Sequence, residues 1–197
     1  MRKDGKDPKD SKDNKDAKSS LSLVSFGSLL SFGSLFLLLA VPAAGVTRIV
    51  INKAERQLQL YSGDQKLRQY RIALGSSPTG AKERVGDRRT PEGTYYICNK
   101  NPHSQYYKSL QVSYPGEGDA ERGFLMGLIT KDQRARIIAA LSRRGIPPSN
   151  TRLGGDIFIH GRGSRPDWTW GCVALDDPDM LELYDAVPVG TPVLIAP

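Results

Sequence analysis

The sequence predicts an α+β, β-rich domain over residues 47–197. Three observations carry that reading. From Thr47 onward, short runs alternate apolar and polar residues and are separated by turn-forming residues. Only two stretches have helical spacing or a helix-start signal. A hydrophobic content of 39% and an aromatic content of 8% are enough for one core, and 197 residues allow one ordinary domain with a tail.

The elements follow in order. "TRIVINKAERQLQLY" alternates on both sides of a turn at Lys53-Ala54-Glu55, as a hairpin does. "QKLRQYRIAL" continues the alternation. "GSSPTGAKERVGDRRTPEGTYYI" is dense in turn residues and ends in the β-rich run Thr94-Tyr95-Tyr96-Ile97. Between Lys131 and Arg144, Ile137, Ile138 and Leu141 fall at helical spacing, and Gly145 with two prolines ends the helix. "GGDIFIHG" reads as a short buried strand. "DDPDMLELYDAV" opens a helix, with Asp176 or Asp177 as cap and a proline in its first turn. "TPVLIAP" is a last strand.

Two segments precede this domain. Residues 1–18 repeat a Lys-Asp pair at every third position and carry seven basic and five acidic residues. Almost no apolar side chain is available there, so disorder is expected. Residues 19–46 hold no charge and include the tandem SFGSL at 25–29 and 31–35. A positive segment, an apolar run and small residues at Val41-Pro42-Ala43 have the order of a secretory signal peptide. An uncleaved signal anchor fits the same run, since roughly 20 apolar residues span a bilayer. A soluble core helix fits less well, because Gly and Ser are too frequent. Either export reading sends residues 47–197 across the cytoplasmic membrane, to the periplasm or cell envelope.

The net charge of +7 favours anionic surroundings such as lipid, cell-wall polymer or nucleic acid. No compact basic run with interleaved aromatics occurs in the folded part, which disfavours nucleic acid. Two cysteines and two histidines, with no CxxC and no HExxH, give no metal-site signal.

Chemistry concentrates in "IHGRGSRPDWTWGCVAL", residues 159–175. A thiol attacks a carbonyl only as thiolate, so it needs a base or a positive field. His160 at a strand end and Cys172 on a glycine turn can supply that pair. Gly171 lets the backbone bend before Cys172, so that N–H groups at the turn face a developing oxyanion. Gly161 lets a nearby carbonyl hold the second imidazole nitrogen and fix the tautomer. The alternative is a buried thiol near a buried imidazole.

These residues carry a family resemblance. His160-Gly161 followed by Thr169-Trp170-Gly171-Cys172-Val173 resembles the signature of the L,D-transpeptidase catalytic domain, and the likeness extends over about residues 47–197 through "IVINKAERQLQLY", "PEGTYYI", "SLQVSYP" and "DMLELYDAVPVGTPVLI". The resemblance implies a β-sandwich with a few short helices. It also implies an exported cysteine enzyme acting on peptidoglycan stem peptides, with Cys172 as nucleophile and His160 as base. Forming 3–3 cross-links, attaching an anchored protein, or trimming the stem with water would follow. No metal or organic cofactor is implied, the membrane is met only through the N-terminal segment, and sensitivity to carbapenems is expected. One departure is Ala174, where many members carry arginine; a small residue there is expected to leave room for water or another acceptor. The run "DWTWGCVAL" is similar to a branch that includes enzymes cutting wall linkages. A hydrolase or amidase on the same linkages, and an inactive wall-binding module, are the competing readings.

Other residues near the site divide between function and structure. Arg162 and Arg165 are candidates for binding stem-peptide carboxylates, or a solvated loop. Thr169 is a candidate for the substrate-binding set through a hydrogen bond near the cysteine turn, or a simple turn residue. Trp168 and Trp170 are candidates for cleft walls, or core packing. His103, followed by Tyr106 and Tyr107, lies in a stretch read as a polar loop, with a lid as the functional alternative. Cys98 reads as a buried free thiol, and "GDRRTPEG" as turn chemistry near the cleft rim.

Overall fold

The computed structural model describes residues 45–197. The Lys-Asp repeat and the uncharged segment read as a signal peptide or anchor, up to residue 44, lie outside them. The domain opens with the expected hairpin, β1 (Arg48–Asn52) and β2 (Gln57–Ser62), antiparallel in the register Val50↔Gln59. Apolar side chains at every second position set it: Ile49, Ile51, Leu58 and Leu60 are buried while their neighbours are not. β3 (Gln65–Arg71) adds antiparallel to β2 and keeps most of its charged side chains exposed.

The remaining elements are β4 (Gly93–Ser104), β5 (Tyr107–Val112), α1 (Glu117–Leu125), α2 (Lys131–Ser142), β6 (Phe158–His160), β7 (Val173–Ala174), α3 (Asp177–Ala186) and β8 (Pro192–Ala196). Strand order is β3-β2-β1-β8-β4-β5-β6-β7. The last strand in sequence is thus inserted centrally, parallel to β1 and antiparallel to β4. β4 belongs to two sheets: Gly93–Tyr96 pairs with β8, and the part from Ile97 to Ser104 pairs with β5 across register shifts. At the far ends a bridge between Ala73 and Ala174, with both N–H···O contacts at 2.8 and 2.9 Å, stitches the chain beyond β3 to β7. The result is the expected α+β sandwich of mixed strands with short helices.

α2 starts on Thr130, whose hydroxyl accepts from the Gln133 N–H while Gln133 reaches back to the Thr130 N–H. α3 starts after Asp176, but that carboxylate does not cap the helix; it accepts from the N–H and hydroxyl of Ser164. Two stretches differ from expectation. The polar run at 99–104 is strand, because Asn101 pairs with Ser109 and Ser104 with Tyr107, which satisfies its backbone despite polar side chains. α1 carried no helical signal in a stretch with Gly116, Gly118 and Gly123; it is held by Asp119, whose carboxylate accepts from the Gly116 N–H at 2.8 Å, and by packing of Ala120 on Ile129, Ile137 and Leu153. The main core lies between the sheets and includes Leu110, Ile159, Val173, Met180 and Leu183.

Candidate active site

β6 and β7 run parallel, with Ile159 opposite Val173 and His160 opposite Ala174. Ile159 and Val173 point into the core and are fully buried. The alternation therefore puts Phe158, His160 and the Cys172 side of the turn on the opposite face. Phe158 and His160 also line a cavity of about 360 Å³ together with Asn101, Ser104, Tyr106 and Ser109.

Cys172 is half-buried. Its sulfur accepts the Phe158 N–H at 3.5 Å, and its thiol points to the Asp156 carbonyl at 3.8 Å. Burial pushes the thiol up to about 11, against smaller opposing contributions from the Phe158 N–H and the Lys82 ammonium. At neutral pH the resting group is a thiol, so a base is required for attack.

His160 is 3% exposed, and its Nδ1 lies 2.7 Å from the Gly161 carbonyl. With Nδ1–H donating to that oxygen, Nε2 carries the lone pair. Burial lowers the imidazole from its ordinary value, outweighing the opposite effect of the Gly161 hydrogen bond. The ring is therefore neutral at pH 7 and able to accept a proton. Tyr106 stacks on it at 4.6 Å between centroids, and Trp168 meets it edge-on at 5.6 Å. Trp168 is fixed in turn by its indole N–H on the Gly163 carbonyl at 3.2 Å.

Gly171 is required by close approach of backbone, and Gly161 sits in a tight contact. Gly171 has φ +125°, and a Cβ there would stand 2.7 Å from the Arg89 carbonyl oxygen. A Cβ on Gly161 would stand 2.4 Å from an Asp177 carboxylate oxygen. Their N–H groups are already committed, Gly171 to the Thr169 hydroxyl at 3.1 Å and Gly161 to the Tyr106 carbonyl at 3.0 Å. They act as turn residues, and neither N–H is free for an oxyanion.

Thr169 makes the hydrogen bond expected near the cysteine turn. It is 3% exposed, and its hydroxyl donates to the Cys172 carbonyl at 2.7 Å while accepting from Gly171. It ties the turn shut. Ala174 has no exposed surface and is bridged to Ala73. Arg162 and Arg165 are exposed beside the cleft, and only the Arg162 backbone N–H is anchored, on Asp177 at 2.8 Å. Trp170 is 71% exposed, with the Arg88 guanidinium 4.8 Å above its ring. His103 is exposed on the β4–β5 arm. Cys98 is a half-buried free thiol, 3.4 Å from the Gln111 carbonyl and pushed up to about 11 by burial.

Sequence reasoning missed Phe158 and did not pair Tyr106 with His160. It also missed Asp167, which accepts a forked contact from Arg56 at 2.7–3.2 Å and the Leu74 N–H at 2.9 Å. This pair pins the 162–170 loop to the β1–β2 turn. No local pattern signals a contact between positions so far apart. Among the described residues, no group of three or more His, Cys, Asp or Glu stands where it could hold a metal ion.

A strand-borne imidazole held by its neighbour's carbonyl, with a thiol on the adjacent strand's entry turn, places the molecule among cysteine–histidine domains of the mixed β-sandwich class. More narrowly, residues 46–195 match the YkuD family, the L,D-transpeptidase catalytic domain, and the chain belongs to it. The chain is 38% identical over 82 residues to YafK of Escherichia coli (strain K12), which bears a provisional L,D-transpeptidase name; the match covers 39% of this chain and 33% of that one. Its structure is similar to the helical cell shape determining protein Pgp2 of Campylobacter jejuni (K307A mutant), with TM-score 0.55 and 25% identity over 78% of this chain and 47% of that one. The unsubstituted Pgp2 gives TM-score 0.54 at 24% identity, covering 76% and 47%. The chain thus spans about a third of the curated relative and about half of Pgp2.

Proposed function

We propose that this protein is an exported cysteine acyltransferase that forms 3–3 cross-links between peptidoglycan stem peptides. The observation that carries the reading is the Cys172–His160 arrangement on paired strands, within a domain of the L,D-transpeptidase family.

On this reading, Cys172 Sγ attacks the carbonyl of the third stem residue, and its proton passes to His160 Nε2. The Cys172 N–H stabilises the oxyanion, and the Phe158 N–H stabilises the sulfur's negative charge. The carbon–nitrogen bond to D-alanine breaks, and the imidazolium returns the proton to the departing amine. A thioester remains. An acceptor amine then gives up its proton to His160, attacks the thioester and expels the thiolate. Water in place of the amine gives a trimmed stem, the hydrolase outcome. A buried, neutral His160 suits both half-reactions, since it must accept and return one proton in each.

The uncharged segment at 19–46, following a net-positive stretch, supports export of residues 47–197 to the periplasm or cell envelope, either freed or anchored. Incubation of residues 47–197 with purified tetrapeptide muropeptides and excess acceptor, with mass analysis, tests the function. Cross-linked dimer with release of D-alanine is expected. Trimmed stem alone assigns the hydrolase, and unchanged substrate leaves a wall-binding module.

A further inference from the structure

Beside the cysteine turn stands a cation that the chemistry above does not use. Arg88 is exposed, and its guanidinium lies 4.8 Å over the ring of Trp170, two residues before Cys172. An indole 71% exposed at the mouth of a site is poorly explained by packing. Among the arginines near the site, Arg56 pairs with Asp167 and Arg89 with Glu83. Among the described residues, no carboxylate pairs with the side chains of Arg88, Arg162 or Arg165.

The backbone that carries Arg88 is fixed to the turn. Arg88 sits at φ +57°, a conformation unfavourable for a side-chain-bearing residue. Its carbonyl accepts the Ser77 N–H at 3.2 Å and lies so close to Gly75 that a Cβ there would be 2.1 Å from its oxygen. The next carbonyl, of Arg89, packs on Gly171. Gly75 is itself bridged to Thr169, the residue that closes the cysteine turn. Arg88 and Trp170 are therefore held in one frame with the sulfur. A guanidinium resting on an aromatic face keeps N–H donors for an anion and loses less freedom on binding one.

The two flanks of the turn differ. The His160 flank is walled by Tyr106 and Trp168, and there the proton must reach the leaving amine. The acyl part of the substrate stays on the sulfur after that amine departs. The flank that remains for it is the one where loop 87–90 meets the turn.

We infer that Arg88, seated on Trp170, binds a carboxylate on the acyl side of the scissile bond and so selects donors that carry one. This rests on the proposed function. In a stem peptide two groups offer that chemistry: the α-carboxylate of a γ-linked glutamyl residue, and the side-chain carboxylate of diaminopimelate.

The test compares three synthetic tetrapeptide donors: one with both groups free, one with the first as carboxamide, one with the second. Release of D-alanine is followed with the wild-type domain, Arg88→Gln and Arg88→Lys. With wild type, one amidation is expected to lower kcat/KM by on the order of 10–100-fold, the worth of a hydrogen bond to a charged group. Arg88→Gln should lower the free-acid donor by a similar factor and leave that amidated donor unchanged. Arg88→Lys should recover part of the loss. Equal losses for Arg88→Gln on all three donors, or a wild type indifferent to both amidations, overturns the carboxylate subsite and leaves the proposed function standing. No release of D-alanine from any donor by the wild type overturns both.

Discussion

Tyr106 lies on the face of His160, ring centroids 4.6 Å apart and planes inclined by 28°. The phenol covers an imidazole that is already almost sealed, and burial is what lowers its proton affinity. Removing the cover solvates the imidazolium and raises the pKa. Tyr106→Ala should therefore move the acid limb of the kcat/KM profile upward, toward the ordinary value of about 6.5. Activity is lost as pH falls through that limb, because protonated His160 accepts no proton. A profile unchanged by the substitution would show that the stacking does not tune the base.

His160→Gln should slow acylation by on the order of 10²–10⁴-fold, the usual worth of a general base. Stopped-flow measurement of carbapenem acylation near neutral pH gives the ratio directly. A variant as fast as wild type removes histidine from the mechanism.

In the His160→Gln background Cys172 must ionise without help. Its thiol is pushed up to about 11, so the rate of alkylation by iodoacetamide should climb from pH 8 through pH 10 with no plateau near neutrality. A plateau at pH 7 would mean a stabilised thiolate and a different activating group. Cys172→Ala should abolish acylation and keep the fold, since the half-buried side chain fills little of the core. Mass spectrometry and the thermal midpoint report the two halves of that statement.

Gly171→Ala sets a Cβ 2.7 Å from the Arg89 carbonyl at φ +125°. The strain should cost roughly 1–3 kcal/mol, seen as a lowered thermal midpoint, and turnover should fall further than stability because the sulfur is displaced. An alanine variant with wild-type turnover would mean that the turn relaxes freely.

Arg56→Gln breaks the forked contact to Asp167 that anchors the loop carrying Trp168 and Trp170. A loss of about 1.5–3 kcal/mol is expected for hydrogen bonds to a charged group, with a fall in kcat. Urea unfolding and initial rates measure these separately, and an unchanged kcat would confine the pair to stability.

If the proposed export through the uncharged run at 19–46 holds, a reporter fused to the C-terminus works only outside the cytoplasm. A reporter active in the cytoplasm alone would contradict export.

Periodicity and caps are local physics, and the sequence by itself determined what they govern. The alternation in "RIVIN" and "QLQLY" specified the first hairpin, because burying every second side chain allows one register. Ile137, Ile138 and Leu141 announced α2, since helical spacing brings them to one face, and Gly145 with two prolines marked its end. The residue types around His160 and Cys172 announced thiol chemistry. Tertiary structure decided the rest, through contacts that no short window contains. The polar run at 99–104 became strand only because β5 supplied hydrogen-bond partners, and that pairing brought Tyr106 onto His160. Thr169 and Trp170 are neighbours in sequence, yet one closes the cysteine turn and the other stands in solvent under Arg88. Their difference arises from the loop at 87–90 and the Arg56–Asp167 pair. Those groups lie far away along the chain, and each meets the turn only when the sheet has closed.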